Sequence, residues 1–168
     1  YPSYYAPGTV TLPHNTNQDA SVNPGTGDFT LEAILTYTHT GIKVAAGKYA
    51  GSGNDYWLGS GLVGGGVISF SANGNGVSTT GSHNNGAWHH VAAVRASGQL
   101  SLYVDGVLAA GPIAKPAAIV PGGPLWIGQF GSLTNFNWPG QVSDVAYYSR
   151  ALTADRIRSH FESVGSVP

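Results

Sequence analysis

The chain has 168 residues, enough for one domain with a substantial core, and carries a formal net charge of −1 with only 9% of its residues charged. That balance excludes a nucleic-acid partner, which needs a basic face to neutralise phosphates, and a polybasic membrane surface. Cysteine is absent, which excludes disulfide frameworks, thiolate metal sites and cysteine nucleophiles, and no apolar run approaches the roughly 18 residues needed for membrane insertion. Low charge does not mean disorder here, because 42% of residues are hydrophobic; with 25 glycines and abundant Asn, Ser and Thr, the profile is that of a turn-rich β protein.

Short apolar segments separated by Gly, Asn and Pro predict strands near 8–12, 28–37, 43–50, 55–62, 66–72, 77–81, 87–96, 99–105, 107–111, 124–129 and 140–148. In the second, Phe29, Leu31 and Ala33 share one face and Thr30 and Glu32 the other. Leu100, Leu102 and Val104 alternate in the same way. Asn73-Gly74, Asn75-Gly76, Asn85-Gly86, Ser97-Gly98 and Asp105-Gly106 supply turn chemistry, because these residues tolerate positive φ. Prolines gather near the N-terminus and at 112–124, where they mark loop or edge. One helix follows Thr153 as its cap: Asp155 suits the first turn, and Ile157 and Phe161, four apart, would dock on the sheet. No repeat or linker divides the chain, so residues 1–27 are expected to form an N-terminal arm and first strand, and 28–168 the remainder of one domain. The chain begins with Tyr1 rather than Met, which points to a processed protein or a domain cut from a longer one.

The motifs then read together. Trp88-His89-His90-Val91-Ala92 running into Tyr103-Val104-Asp105-Gly106, preceded by Asp28-Phe29-Thr30-Leu31-Glu32-Ala33, followed by Leu125-Trp126-Ile127-Gly128 and closed by Pro139 to Thr153, resembles the laminin G-like, concanavalin A-like lectin jelly-roll family over roughly residues 28–161. Ile34 stands where the family usually has Trp. The resemblance implies an all-β, two-sheet antiparallel sandwich with one short C-terminal helix, but no single activity, because this fold carries many.

Catalysis is not expected. Glycoside hydrolysis needs two carboxyls flanking one bond, and the chain has only Glu32, an outward strand position, and Glu162, on the helix. Asp105 and Asp155 have turn and helix-start explanations, and no nucleophile elbow is present. Adjacent strand residues point to opposite faces, so His89 and His90 cannot easily chelate one ion and read as framework. His14, His39, His83 and His160 lack zinc spacing.

Glycan recognition needs an aromatic face for sugar C–H groups and amides or carboxylates for hydroxyls. Asn54-Asp55-Tyr56-Trp57 and Asn135-Phe136-Asn137-Trp138 supply both, with Ser82-His83-Asn84-Asn85 a third polar loop. The expected ligand residues are Asp55, Tyr56, Trp57, His83, Asn84, Asn135, Asn137 and Trp138; Trp88 and Trp126 are read as core. Calcium is the expected metal, because hard oxygen ligands are what the chain offers. The resemblance places a structural ion at Asp144, with Asp19, Asp28 or backbone carbonyls as partners, and a rim ion at Asp55.

The expected function is non-catalytic, lectin-like binding of carbohydrate or a cell-surface glycoconjugate, outside the cell, on a cell surface or on a virion. The alternative is a structural or adhesion module of a phage or viral particle, acting through contacts with other protein subunits and with the aromatic tail Tyr1-Pro2-Ser3-Tyr4-Tyr5 as an inter-subunit arm.

Overall fold

A computed structural model describes residues 22–49, 55–115, 117–131 and 133–164. The expected strand at 8–12, the arm around it, and Gly53 and Asn54 lie outside these residues. Among the described residues ten strands form: β1 (Phe29–Thr36), β2 (Lys43–Lys48), β3 (Tyr56–Ser60), β4 (Ile68–Ala72), β5 (Asn75–Ser78), β6 (His89–Ala96), β7 (Gln99–Val104), β8 (Val107–Ala114), β9 (Leu125–Ile127) and β10 (Gln141–Tyr148), followed by α1 (Ala154–Val164). They make two five-stranded sheets, ordered β10-β1-β6-β7-β8 and β5-β4-β3-β2-β9, with each pair of neighbouring strands antiparallel.

The turns follow from side-chain chemistry. Asn73-Gly74, Ser97-Gly98 and Asp105-Gly106 have positive φ at both positions, the geometry that matches strand twist across a two-residue hairpin. Asn75 and Gly76 differ from expectation: they are the first residues of β5, paired with Ala72 and Ser71.

Alternation sets the layers. Phe29, Leu31, Ala33 and Leu35 of β1 and Val91 and Ala93 of β6 face the second sheet and pack with Tyr56, Leu58, Ile68 and Phe70. Phe29 is at the centre of the aromatic contacts, its ring 5.3 Å from Tyr56, 6.0 Å from Phe70 and 5.7 Å from Tyr147. The other faces are covered too. Helix α1 lays Ile157 over Ala92 and Val94 with Leu152. On the second sheet, Phe130, Leu133 and Phe136 cover Val44 and Trp57.

Arg95 continues the inward row of β6 and is buried. Its guanidinium closes one end of the core by donating to backbone carbonyls: Nη1 to Gly27 O at 2.8 Å, and Nε and Nη2 to Lys115 O at 3.2 and 3.0 Å. A planar fork aims fixed donors from separate nitrogens at two separated carbonyls, a span a compact ammonium does not reproduce. Replacing Arg95 with Lys is therefore expected to lower unfolding free energy by about 2–3 kcal/mol, measured by urea denaturation.

Candidate functional site

At the end of the sandwich opposite Arg95, β1, β3 and β7 finish and β2, β4, β6, β8 and β10 begin. The loops there are tied together mostly through backbone carbonyls. Thr36 Oγ1 donates to Gly86 O at 2.8 Å, and Gly86 N–H returns to Tyr37 O at 3.1 Å. The Tyr37 hydroxyl and the His83 N–H both donate to Gly66 O, at 2.7 and 2.8 Å. Asn84 Nδ2 reaches the carbonyls of Thr38 and His39, and Lys43 Nζ donates to Asn135 O at 2.6 Å. Gly66 is required for this: a Cβ there would sit 2.1 Å from the Asn84 amide carbon.

Three rings plug the floor. Trp138 lies 4.9 Å from Tyr37 and 4.8 Å, edge-on, from His39, and is only 7% exposed. Ser60 Oγ donates to Gly41 O, so it accepts from His39 Nε2 at 2.9 Å. Burial, helped by the charge of Lys43, lowers the His39 pKa to about 4, so the ring is neutral at physiological pH.

A second cluster stands beside it. Asp105, in the β7–β8 turn, accepts the His90 N–H at 3.0 Å and lies 2.9 Å from His89 Nδ1. His83 meets the His89 ring edge-on at 5.0 Å. Asn85 Oδ1 accepts the Ala87 N–H at 2.9 Å and shapes the approach to Trp88, which is 38% exposed.

The expected ligand residues divide accordingly. His83, Asn84, Asn135, Asn137 and Trp138 come to this one end. Asp55 and Tyr56 lie at the other, and Tyr56 is wholly buried, its hydroxyl donating to Val22 O at 2.9 Å. Trp57 is buried beneath Phe130. Tyr56, Trp57 and Trp138 thus offer no open aromatic face, because strand alternation or neighbouring rings cover each. The expectation that Trp88 is core is likewise corrected. It precedes β6 on the outward row of His90 and Ala92, beyond the reach of the inter-sheet core. That row was readable from Val91 and Ala93 pointing inward.

The acidic positions do not converge. Asp144 is exposed in an irregular stretch of β10, with φ 48°, and accepts from Ser143 Oγ at 2.7 Å. Asp28, one expected partner, instead accepts the Ser97 N–H at 2.8 Å; Asp19 lies outside the described residues. Asp55 is half-buried, and burial raises its carboxyl pKa against the opposing Asn73 N–H and Lys115 charge. Among the described residues no three His, Cys, Asp or Glu side chains gather to hold an ion. A metal at either position would rest on one carboxylate with hydroxyl, carbonyl and water ligands.

Burial pushes the Asp105 carboxyl up, but the His89 hydrogen bond and charge and the His90 N–H outweigh it and hold it below the usual value of 3.8. Its stabilising contribution is therefore full above pH 3.8 and lost as pH falls through the lower folded value. Asp105→Asn, which keeps the positive φ, is expected to lower Tm at neutral pH and to flatten the decline of Tm below pH 3.8, measured by thermal melts from pH 2 to 7.

Comparison with known proteins places this geometry. Solved structures with the same fold include a heptameric SAP-like pentraxin from Limulus polyphemus, with TM-score 0.60, 19% identity, and coverage of 87% of this chain and 75% of the pentraxin. A putative carbohydrate binding protein from Bacteroides ovatus ATCC 8483 superposes with TM-score 0.57 at 18% identity, covering 80% of this chain and 40% of that one. Domains LG4-5 of the mouse laminin alpha1 chain give TM-score 0.58 at 16% identity, covering 79% of this chain and 40% of theirs. No curated protein matches by sequence. The sequence profile of the concanavalin A-like lectin/glucanases superfamily, of laminin G type, matches residues 8–158, so the chain belongs to that family.

Proposed function

We propose that this chain is a non-catalytic, lectin-like module that binds carbohydrate of a cell surface or extracellular matrix at its loop end. The observation that carries the reading is Trp88, an exposed aromatic ring immediately before β6, three residues after Asn85 and at the same end of the sandwich as His83, Asn84 and Asn135. An exposed ring can stack on sugar C–H groups, while amides orient hydroxyls. The Bacteroides neighbour, named as a putative carbohydrate binding protein, supports the class of ligand. The non-catalytic reading is supported by the two glutamates. Glu32 is buried between histidines, and the Glu162 side chain is exposed on α1, 3.5 Å from Arg158.

The reading assigns no nucleic-acid role, and the placement of the cations supports that: three of the seven, Lys48, Arg95 and Lys115, are buried. No helix among the described residues is long and apolar enough to cross a membrane. Assembly by strand addition at sheet edges, the particle-module reading, is less well supported. Edge strand β8 contains Pro112, edge strand β10 has its pairing interrupted beside Asp144, and edge strands β5 and β9 are four and three residues long.

A glycan array tests the proposal. The wild type should bind a restricted set of glycans, and Trp88→Ala should weaken that binding at least tenfold while shifting Tm little, since the ring is partly in water. No binding on any array would remove the reading.

Calcium belongs to the same proposal, at Asp144 with Ser143 beside it. One carboxylate implies affinity of about 0.1–1 mM, the range of extracellular modules. Millimolar calcium should raise Tm by about 1–3 °C, reversibly with EDTA, and Asp144→Asn should abolish the shift. An unchanged Tm would exclude the ion.

A further inference from the structure

The outer face of the first sheet carries a polar cluster that the loop-end site does not use. Glu32 of β1 is buried, its side chain only 7% exposed. His90 Nε2 of β6 lies 2.7 Å from its Oε1, and His160 Nδ1 of α1 lies 3.0 Å from its Oε2 and 3.1 Å from Oε1. An ionised carboxylate only accepts, so both ring nitrogens carry the protons. The hydroxyl of Tyr148, on β10, faces the same carboxylate; burial and then Glu32 push its pKa up, against Arg156 and Arg150. These groups, from β6, β10, α1 and the segment joining the last two, are the titratable and charged neighbours of Glu32.

The helix is fastened differently at its two ends. At the entry, Thr30 Oγ1 donates to Arg150 O at 3.0 Å and accepts the Leu152 N–H at 2.9 Å, both independent of pH. Leu152 and Ile157 pack there on Ala92 and Val94. At the far end the polar fastening is His160 on Glu32, with Phe161 packed 6.2 Å from the His90 ring and beside Gly106.

We propose that α1 is an acid-released strap, hinged at Thr30 and latched by the Glu32 carboxylate to His160, which opens on protonation of Glu32 while the sandwich stays folded. The protonated carboxyl carries an O–H, and that donor faces N–H donors of both histidines. His90 does not relieve the conflict cheaply by moving its proton to Nδ1, because Nδ1 is buried with no acceptor beside it. Burial alone would raise the Glu32 pKa, but the His90 and His160 bonds and charges overcome it and bring the value below 4.5. The latch is therefore full above pH 4.5 and lost as pH falls through the lower folded value.

Segment-resolved amide hydrogen exchange from pH 7 to 3, expressed as protection factors, tests the strap. Protection of 157–163 should fall at least tenfold below pH 4.5 while β1 and β6 keep theirs. His160→Ala, which leaves the sheet untouched, should show that loss already at pH 7, and Glu32→Gln should make it independent of pH. Simultaneous loss of protection in helix and strands, or wild-type protection of the helix in His160→Ala, would overturn the proposal.

Discussion

Both faces of β1 and β6 are buried, and this obliges every polar side chain on those two central strands to find a partner inside the fold. An unpaired buried polar group costs on the order of 1–3 kcal/mol, a large share of a domain's net stability. Each such obligation places a neighbouring element. Thr30 fixes the entry to α1, Glu32 and His90 fix its far end, and Arg95 gathers the carbonyls of Gly27 and Lys115. The apolar core supplies most of the driving force, and these few polar side chains decide where the peripheral pieces sit.

His89 and His90 show how one strand serves two sides. Successive residues turn to opposite faces, so His89 meets Asp105 and His90 meets Glu32. The Asp105 carboxylate also accepts the His90 N–H, and Phe161 packs beside Gly106. The β7–β8 turn thereby touches the loop end through Asp105 and the helix through Gly106.

Strands and hairpins were legible because their signals are local. Period-two alternation in Phe29-Thr30-Leu31-Glu32 and the paired turn residues Asp105-Gly106 carry their own explanation within a few positions. Family motifs were legible for the same reason. The site was less so. Trp138 was read correctly as a loop residue, but the rings covering it, Tyr37 and His39, are about a hundred residues away and leave no local trace. Tyr56 and Trp57 fall in the strand expected near 55–62, but as expected ligand residues they are covered, because that strand's alternation buries one on each face. Trp88 was hidden by its own motif: a framework position suggested burial, whereas its parity with His90 pointed outward. The bond between Glu32 and His160 joins residues 128 apart in sequence and follows from docking, which alternation does not describe.

The carbonyl-based ties at the loop end have a consequence for variation. Thr38, His39 and Asn135 each contribute a main-chain oxygen that nearly any residue in their place would still present, whereas Gly66 and Gly86 contribute theirs from positions held to glycine by the Asn84 side chain and by a positive φ. The scaffold therefore reads the path of its loops more than their side chains. Exposed positions such as Trp88 and Asn135 can change identity while the loops keep their course, so the rim can take on new surface chemistry without a change of framework.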